Sequence, residues 1–206
     1  WDKDLLELFG IPAGILPEVR DTGGDFGAAD ESFAGRSIPV RGVIGDQQAS
    51  MFAQGCWAPG VYKNTYGTGL FLMTHTGYKP LIAKRVLTTV AWKLGKRMEY
   101  ALEGSIFIGG AAVQWLRDGL KIVRSAHETL EHARSLASCE GVYFVPGFVG
   151  LGAPHWDPTA RGMIIGITRG TRREHLSRAA LESMAFQSAE LVEEMSRELG
   201  VRPKIL

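Results

Sequence analysis

Cysteine is nearly absent from this chain. Cys56 and Cys139 are the only two among 206 residues, so there is no disulfide framework, and no Cys pair stands at the spacing of a zinc site. Both thiols therefore read as buried side chains, and no metal-ligand set is expected. No apolar run is long enough to cross a bilayer, and the first residues lack the basic-then-apolar order of a secretion signal. Net charge is +1, with Lys and Arg interspersed among Asp and Glu, which excludes the clustered basic face of a nucleic-acid binder. Neither an internal repeat nor a low-complexity tract is present. What remains is a cytoplasmic globular protein acting on small molecules. It also lacks an initiator Met: the chain opens at Trp1 inside a helical pattern and stops at Lys204-Ile205-Leu206, which reads as a strand just begun, so it is expected to be part of something longer.

The apolar pattern at Leu5, Leu6, Leu8 and Phe9 predicts a short helix ended by Gly10 and Pro12. Residues 21–37, rich in Gly, Ala, Asp and Ser, predict a surface connection, and residues 38–44 an apolar strand that delivers Asp46 at its end. A short helix over residues 49–54 is followed by consecutive strands at 61–66, 70–76, 86–92 and 98–102, expected to form an antiparallel meander. Helices at 107–120 and 126–138, a strand at 142–146 and a long amphipathic helix at about 173–199, closed by Gly200, complete the order. Strands in a run followed by alternating helix and strand is the sequence of elements of a ribonuclease H-like α/β domain. Residues 150–162 are too rich in turn formers for a regular element and predict an ordered loop.

Two motifs carry chemistry. Gly45-Asp46-Gln47-Gln48 places a carboxylate beside two amides able to bind hydroxyl groups, and a positioned carboxylate can take a proton from an acceptor hydroxyl. Asp46 also suits the first turn of the helix that follows, as a cap. Gly67-Thr68-Gly69 sits between two apolar strands. It has the form of an ordinary hairpin turn, yet Thr68 adds a hydroxyl beside exposed N–H groups, the chemistry that holds phosphate oxygens. Phe71 follows at the start of the second strand, as core or as a surface for a substrate's carbon backbone. At Gly109-Gly110-Ala111-Ala112 small residues open a helix, which permits either tight packing on a sheet or approach of an anion, with Gln114 one turn further on the same face. His155, Trp156 and Asp157 read as a structural plug, and His75, His127, His132 and His175 as surface or capping positions.

These residues, in order, resemble the FGGY carbohydrate kinase family and, within it, the glycerol kinases. The resemblance is carried by Ile38-Pro39 with Gly45-Asp46-Gln47-Gln48-Ala49, the run from Lys63 to Gly69, Tyr100-Ala101-Leu102-Glu103-Gly104-Ser105, Gln114-Trp115-Leu116-Arg117-Asp118, and Gly150 to Pro158 with Ala160-Arg161-Gly162. It covers essentially the whole chain, and residues 162–182 resemble the family's second signature. The fold it implies is that of the actin, hexokinase and Hsp70 ATPases, two ribonuclease H-like domains closing over ATP-Mg2+ and a polyol. Residues 1–55 would be the tail of the first, polyol-binding domain and residues 56–206 the opening part of the second, nucleotide-binding one. By the same resemblance Asp46 is the general base, Gln47 and Phe71 join it in binding glycerol, and Gly67, Thr68, Gly69, Gly110 and Gln114 contact the nucleotide. The implied reaction is ATP-dependent phosphorylation of glycerol to sn-glycerol 3-phosphate by the full-length protein, which as a whole can form homo-oligomers.

The family's N-terminal phosphate hairpin, its further polyol-binding residues and its later Asp-Gly-Gly loop have no counterpart here, so the chain alone is expected to be inactive. The alternatives are a kinase for another polyol or a ketose such as xylulose, and a silent nucleotide-binding fragment. The Gly35-Arg36-Ser37-Ile38-Pro39 stretch departs from the family's fructose 1,6-bisphosphate loop, and residues 21–37 hold no His, so neither of two known controls is implied.

Overall fold

The computed structural model describes residues 1–206 and divides into two compact units, Trp1–Gly45 with Trp92–Met98, and Asp46–Ala91 with Glu99–Leu206. In the first, α1 (Lys3–Phe9) starts where the Asp2 carboxylate accepts from the Leu5 N–H at 3.0 Å and stops at Gly10, whose φ of 64° is open to glycine. None of its residues is buried. Two residues of β1 (Ala28–Ala29) pair antiparallel with two of β2 (Ile38–Pro39), and α2 (Glu31–Ala34) connects them. The strand expected over residues 38–44 is thus only its first two residues. Pro39 brings no N–H to a ladder, and Val43 and Ile44 stay exposed because no sheet lies there to cover them. Backbone bonds such as Thr22 N–H to the Lys93 carbonyl (2.9 Å) and the Lys93–Asp21 ion pair (2.7 Å) hold this unit together.

The second unit owns the core. After α3 (Asp46–Ala53) come β3 (Tyr62–Tyr66), β4 (Leu70–Gly77), β5 (Leu87–Leu94) and β6 (Arg97–Ile106), with the tip of the β5–β6 hairpin belonging to the first unit. Their order is β3-β4-β6-β5 rather than a simple meander. The connection over residues 78–86 is long enough to carry the chain past the place that β6 fills, so β5 lies at the edge. Ile205 bridges the outer edge of β3 in parallel, its carbonyl accepting from the Tyr62 N–H at 2.9 Å.

Alternation gives the sheet two unlike faces. Leu70 and Leu72 of β4 and Leu102 and Ile106 of β6 join the apolar cluster that includes Leu191 and Met195 of α6 (Arg173–Leu199). Gly104 makes this packing possible, since a Cβ there would lie 2.5 Å from the Leu191 side chain. The opposite face holds a different row: Lys63 of β3 is paired with Met73 of β4, and Met73 with Glu103 of β6. Two positions along, Thr65 pairs with Phe71 and Phe71 with Ser105.

Beyond the sheet, the helix expected over residues 107–120 is α4 (Gly110–Gln114) running into a π-helical turn, Trp115–Gly119. It begins late because Gly109 is pressed against Leu70, where a Cβ would come within 2.5 Å. α5 (Ala126–Arg134) packs on α6, and β7 (Tyr143–Val145) pairs with β8 (Met163–Ile165), a strand too short to show a period in sequence. Three of the histidines read as surface or capping positions are buried. His75 meets Glu99 at 2.7 Å, His132 meets Ser177 at 2.9 Å, and His175, which does cap α6, accepts from the Arg172 N–H through Nδ1 at 3.0 Å. No helix is long and apolar enough to cross a membrane.

Candidate functional site

The charged face of the sheet is where α3 docks. Asp46 opens that helix, and its Oδ1 accepts from the Gln47 N–H in the first turn at 2.7 Å, while the other carboxylate oxygen has no hydrogen-bond partner in the protein. The cap and the base readings of Asp46 are therefore compatible. Gln47 reaches the sheet through Lys63, whose Nζ donates to the Gln47 Oε1. The same ammonium donates to the Thr65 hydroxyl at 3.0 Å and the Phe71 carbonyl at 3.2 Å.

Lys63 is 5% exposed. Burial pulls the pKa of its ammonium down, while Glu103, Asp46 and, more weakly, Cys56 hold it up. Burial also pushes the Glu103 carboxyl above its ordinary value, with Lys63 opposing that and Asp46 adding to it. Two cross-strand steps separate Lys63 from Glu103, about 10 Å between Cα atoms at the usual strand spacing. The pattern is one buried cation flanked by two carboxylates, on the face that also carries Phe71. Sequence reasoning assigned no role to Lys63 or Glu103. Their signal was a charge at a period-two position within a strand, which polar edge strands also show.

At its other end β3 runs into Gly67-Thr68-Gly69. Here the structure brings four of the five nucleotide-side candidates together: Gly67, Thr68, Gly110 and Gln114 line one cavity of about 530 Å3, together with Tyr66 and Arg117. That is within the usual range for small-molecule sites. Gly69, the fifth, is buried beneath, where a Cβ would lie 2.6 Å from the Ile106 carbonyl oxygen. The opening of α4 differs from the expectation of an anion-ready helix terminus. The Gly109 and Ala111 N–H groups donate to the Thr68 carbonyl (2.8 and 3.1 Å), and the Gly110 N–H to that of Gly67 (2.8 Å). These donors are spent in clamping helix to turn. Gly110 is required by that closeness, since a Cβ there would stand 2.8 Å from the Gly67 oxygen. What the turn offers a ligand is the exposed Thr68, whose hydroxyl has no protein partner.

The loop at 150–162 is ordered as expected. The Ala153 N–H donates to the Ser105 carbonyl (3.0 Å), His155 meets Glu190 (3.1 Å), Trp156 Nε1 donates to the Arg85 carbonyl (2.7 Å), and the Asp157 Oδ1 accepts from Thr159 and Ala160. Those bonds, Thr159 first, hold the Asp157 carboxyl below its usual range. An apolar cavity of about 480 Å3 beside this loop, lined by Phe144, Phe186 and His155, holds none of the candidate residues.

Comparison with known proteins identifies the family. The C-terminal domain of the FGGY family of carbohydrate kinases matches residues 62–206. The chain is similar to the glycerol kinase of Thermococcus onnurineus, 56% identical over 98% of this chain and 41% of that protein. It is likewise similar to that of Koribacter versatilis, 57% identical over 98% and 41%. Among solved structures, Plasmodium falciparum glycerol kinase with ADP superposes with a TM-score of 0.86 at 35% identity, covering 98% of this chain and 41% of that one. The xylulose kinase of Rhodospirillum rubrum superposes at 0.76 with 25% identity, covering 100% and 42%. The chain thus spans about 41% of the length of the curated relatives it matches. The mixed α/β architecture is that of FGGY sugar kinases, built on the ribonuclease H-like fold. With the family match extending over most of its length, the chain belongs to the FGGY family of carbohydrate kinases.

Proposed function

We propose that this chain carries the base and part of the nucleotide site of an ATP-dependent glycerol kinase, whose full-length form makes sn-glycerol 3-phosphate. The observation that carries the reading is the placement of Asp46 and Gln47 against one end of β3 and of the Thr68 cavity at the other. The names and identities of the relatives support glycerol as the acceptor. Residues 1–55 are assigned to the polyol-binding domain and residues 56–206 to the nucleotide-binding one, an assignment supported by the family match that begins at residue 62.

In this mechanism a terminal hydroxyl of glycerol gives its proton to Asp46 as its oxygen forms a bond to the γ-phosphorus of ATP. The bond from that phosphorus to the bridging oxygen breaks in line, and ADP leaves. Gln47 and Phe71 bind the polyol, and Gly67, Thr68, Gly110 and Gln114 line the chain's share of the nucleotide site, with Gly69 buried beneath the turn rather than facing the ligand. Mg2+ is a different matter. No group of three or more His, Cys, Asp or Glu converges, so these residues form no metal cage of their own; Mg2+ held by the ATP phosphates would meet at most the unbonded oxygen of Asp46, and no step is assigned to it.

Asp46→Asn in the full-length protein is expected to keep ATP and glycerol binding and to lower kcat by about 10² to 10⁴, the usual contribution of a general base. The amide keeps the shape but cannot take the proton. Near-normal kcat would refute the assignment. A second acceptor class is favoured by the superposition on a xylulose kinase, and a panel of polyols and ketoses distinguishes it: a kcat/KM for xylulose above that for glycerol would replace the first reading.

A further inference from the structure

We propose that Lys63 is a positioning residue that fixes the Gln47 amide so that its NH2 group, and not its carbonyl, is what the acceptor substrate meets. This rests on the reading of Asp46 and Gln47 as the polyol side of the site. An ammonium has three protons and no lone pair, so the Gln47 atom facing it has to be the oxygen. All three protons are taken, by Gln47, Thr65 and Phe71. Lys63 therefore has no free donor for a phosphate or a polyol. Its buried charge is spent on holding three acceptors of its own protein in place.

The consequence falls on Gln47. With Oε1 bound, Nε2 is turned away from Lys63, has no protein partner, and is not among the buried polar atoms left without one, so it is open to solvent. Rotating the amide to present its oxygen instead would set NH2 against the ammonium, two donors face to face. Next to it, Asp46 as a carboxylate can only accept. Neighbouring groups of opposite polarity select a substrate with an oxygen lone pair beside the reacting hydroxyl. In a vicinal diol one hydroxyl donates to Asp46 while its neighbour accepts from Gln47. A deoxy carbon in the second position would leave the Gln47 donor unmatched, and a site built to bond a hydroxyl rejects the analogue that lacks it. Lys63 thus acts on specificity at one remove.

The test is steady-state kinetics on the full-length protein with Lys63→Met, Gln47→Ala and the double variant, varying glycerol and ATP separately. Lys63→Met is expected to raise the glycerol KM about tenfold with the ATP KM within about twofold, and to add nothing further in the Gln47→Ala background. Additive effects, or both KM values rising alike, would show that Lys63 acts through the fold and would overturn the proposal. Gln47→Glu covers the case in which Lys63→Met does not fold, because it keeps an acceptor for Lys63 and removes the NH2. It is expected to match the Gln47→Ala loss, and an unchanged glycerol KM would likewise overturn the proposal. Asp46→Asn measured alongside separates the two levels: retained turnover there removes Asp46 as the base, and with it the reading of this end of β3 as the polyol side, whereas lost turnover with an additive cycle removes only the role of Lys63.

Discussion

At its Lys63 end β3 faces a buried ammonium among carboxylates, with each of its protons committed to a named acceptor, whereas at its Gly67–Gly69 end it turns against a helix through carbonyl contacts and glycines. The two ends fail in different ways. At the charged end a substitution is felt as an unpaired charge or a released side chain, because burial makes each missing partner costly. At the glycine end it is felt as contact, because backbone already touches backbone and a single methyl has nowhere to go. One strand therefore joins a region built on side-chain polarity to a region built on shape.

The contrast can be broken most forcefully at Gly69. Gly69→Ala puts a Cβ 2.6 Å from the Ile106 oxygen and 3.0 Å from that of Phe107, and neither backbone group can step aside. The expected loss is about 3 kcal/mol of stability, at the upper end of ordinary overpacking, with the ATP KM raised. Chemical denaturation of the full-length variant checks it, and a wild-type midpoint would mean that the turn is not pinned. Thr65→Val probes the other end without altering charge or shape. It removes one of the acceptors of Lys63 and is expected to cost about 1.5 kcal/mol, as for a hydrogen bond to a charged group. Loss of stability with the ATP KM unchanged would place the effect where the contrast requires it.

The smallest effect sharpens the electrostatic side. Burial raises the pKa of Glu103, so the folded protein holds that proton more tightly than the unfolded chain does. The corresponding stability is present in full below the unfolded value and is lost as pH rises through the folded one. Glu103→Gln, permanently neutral, escapes that loss. It should gain on the wild type as pH is raised from acid to neutral, in paired denaturation curves. A variant that falls behind instead would mean that the attraction of Lys63 outweighs burial at this site.

How much of this was legible in the sequence follows the same division. Glycines and caps act locally, so the turn at Gly67-Thr68-Gly69, the end of α1 at Gly10 and the end of the long helix at Gly200 could be read directly. The role proposed for Asp46 came from a motif that is contiguous in the chain. What escaped depended on distant pairing. Residues 38–44 have the apolar run of a strand but no sheet to join, and β5 has the pattern of a meander strand but lies outside β6. Lys63 and Glu103 are about forty residues apart in sequence and become one cluster only through the pairings with Met73. Nothing local distinguishes Lys63 from a solvated lysine on an edge strand. The clamp of the Gly67 and Thr68 carbonyls on the start of α4 was likewise hidden, because small residues at a helix start suit both packing and an anion.

The central claim is that the two ends of β3 read different molecules, and crossed Michaelis constants for Thr68→Val and Gln47→Ala in the full-length protein test it most directly. Thr68→Val is expected to raise the ATP KM about fivefold, the worth of one hydrogen bond, and to leave the glycerol KM unchanged. Gln47→Ala is expected to do the reverse. A pair of variants that each shifted both constants equally would contradict the account, since the strand would then be acting as one structural support for a single shared site.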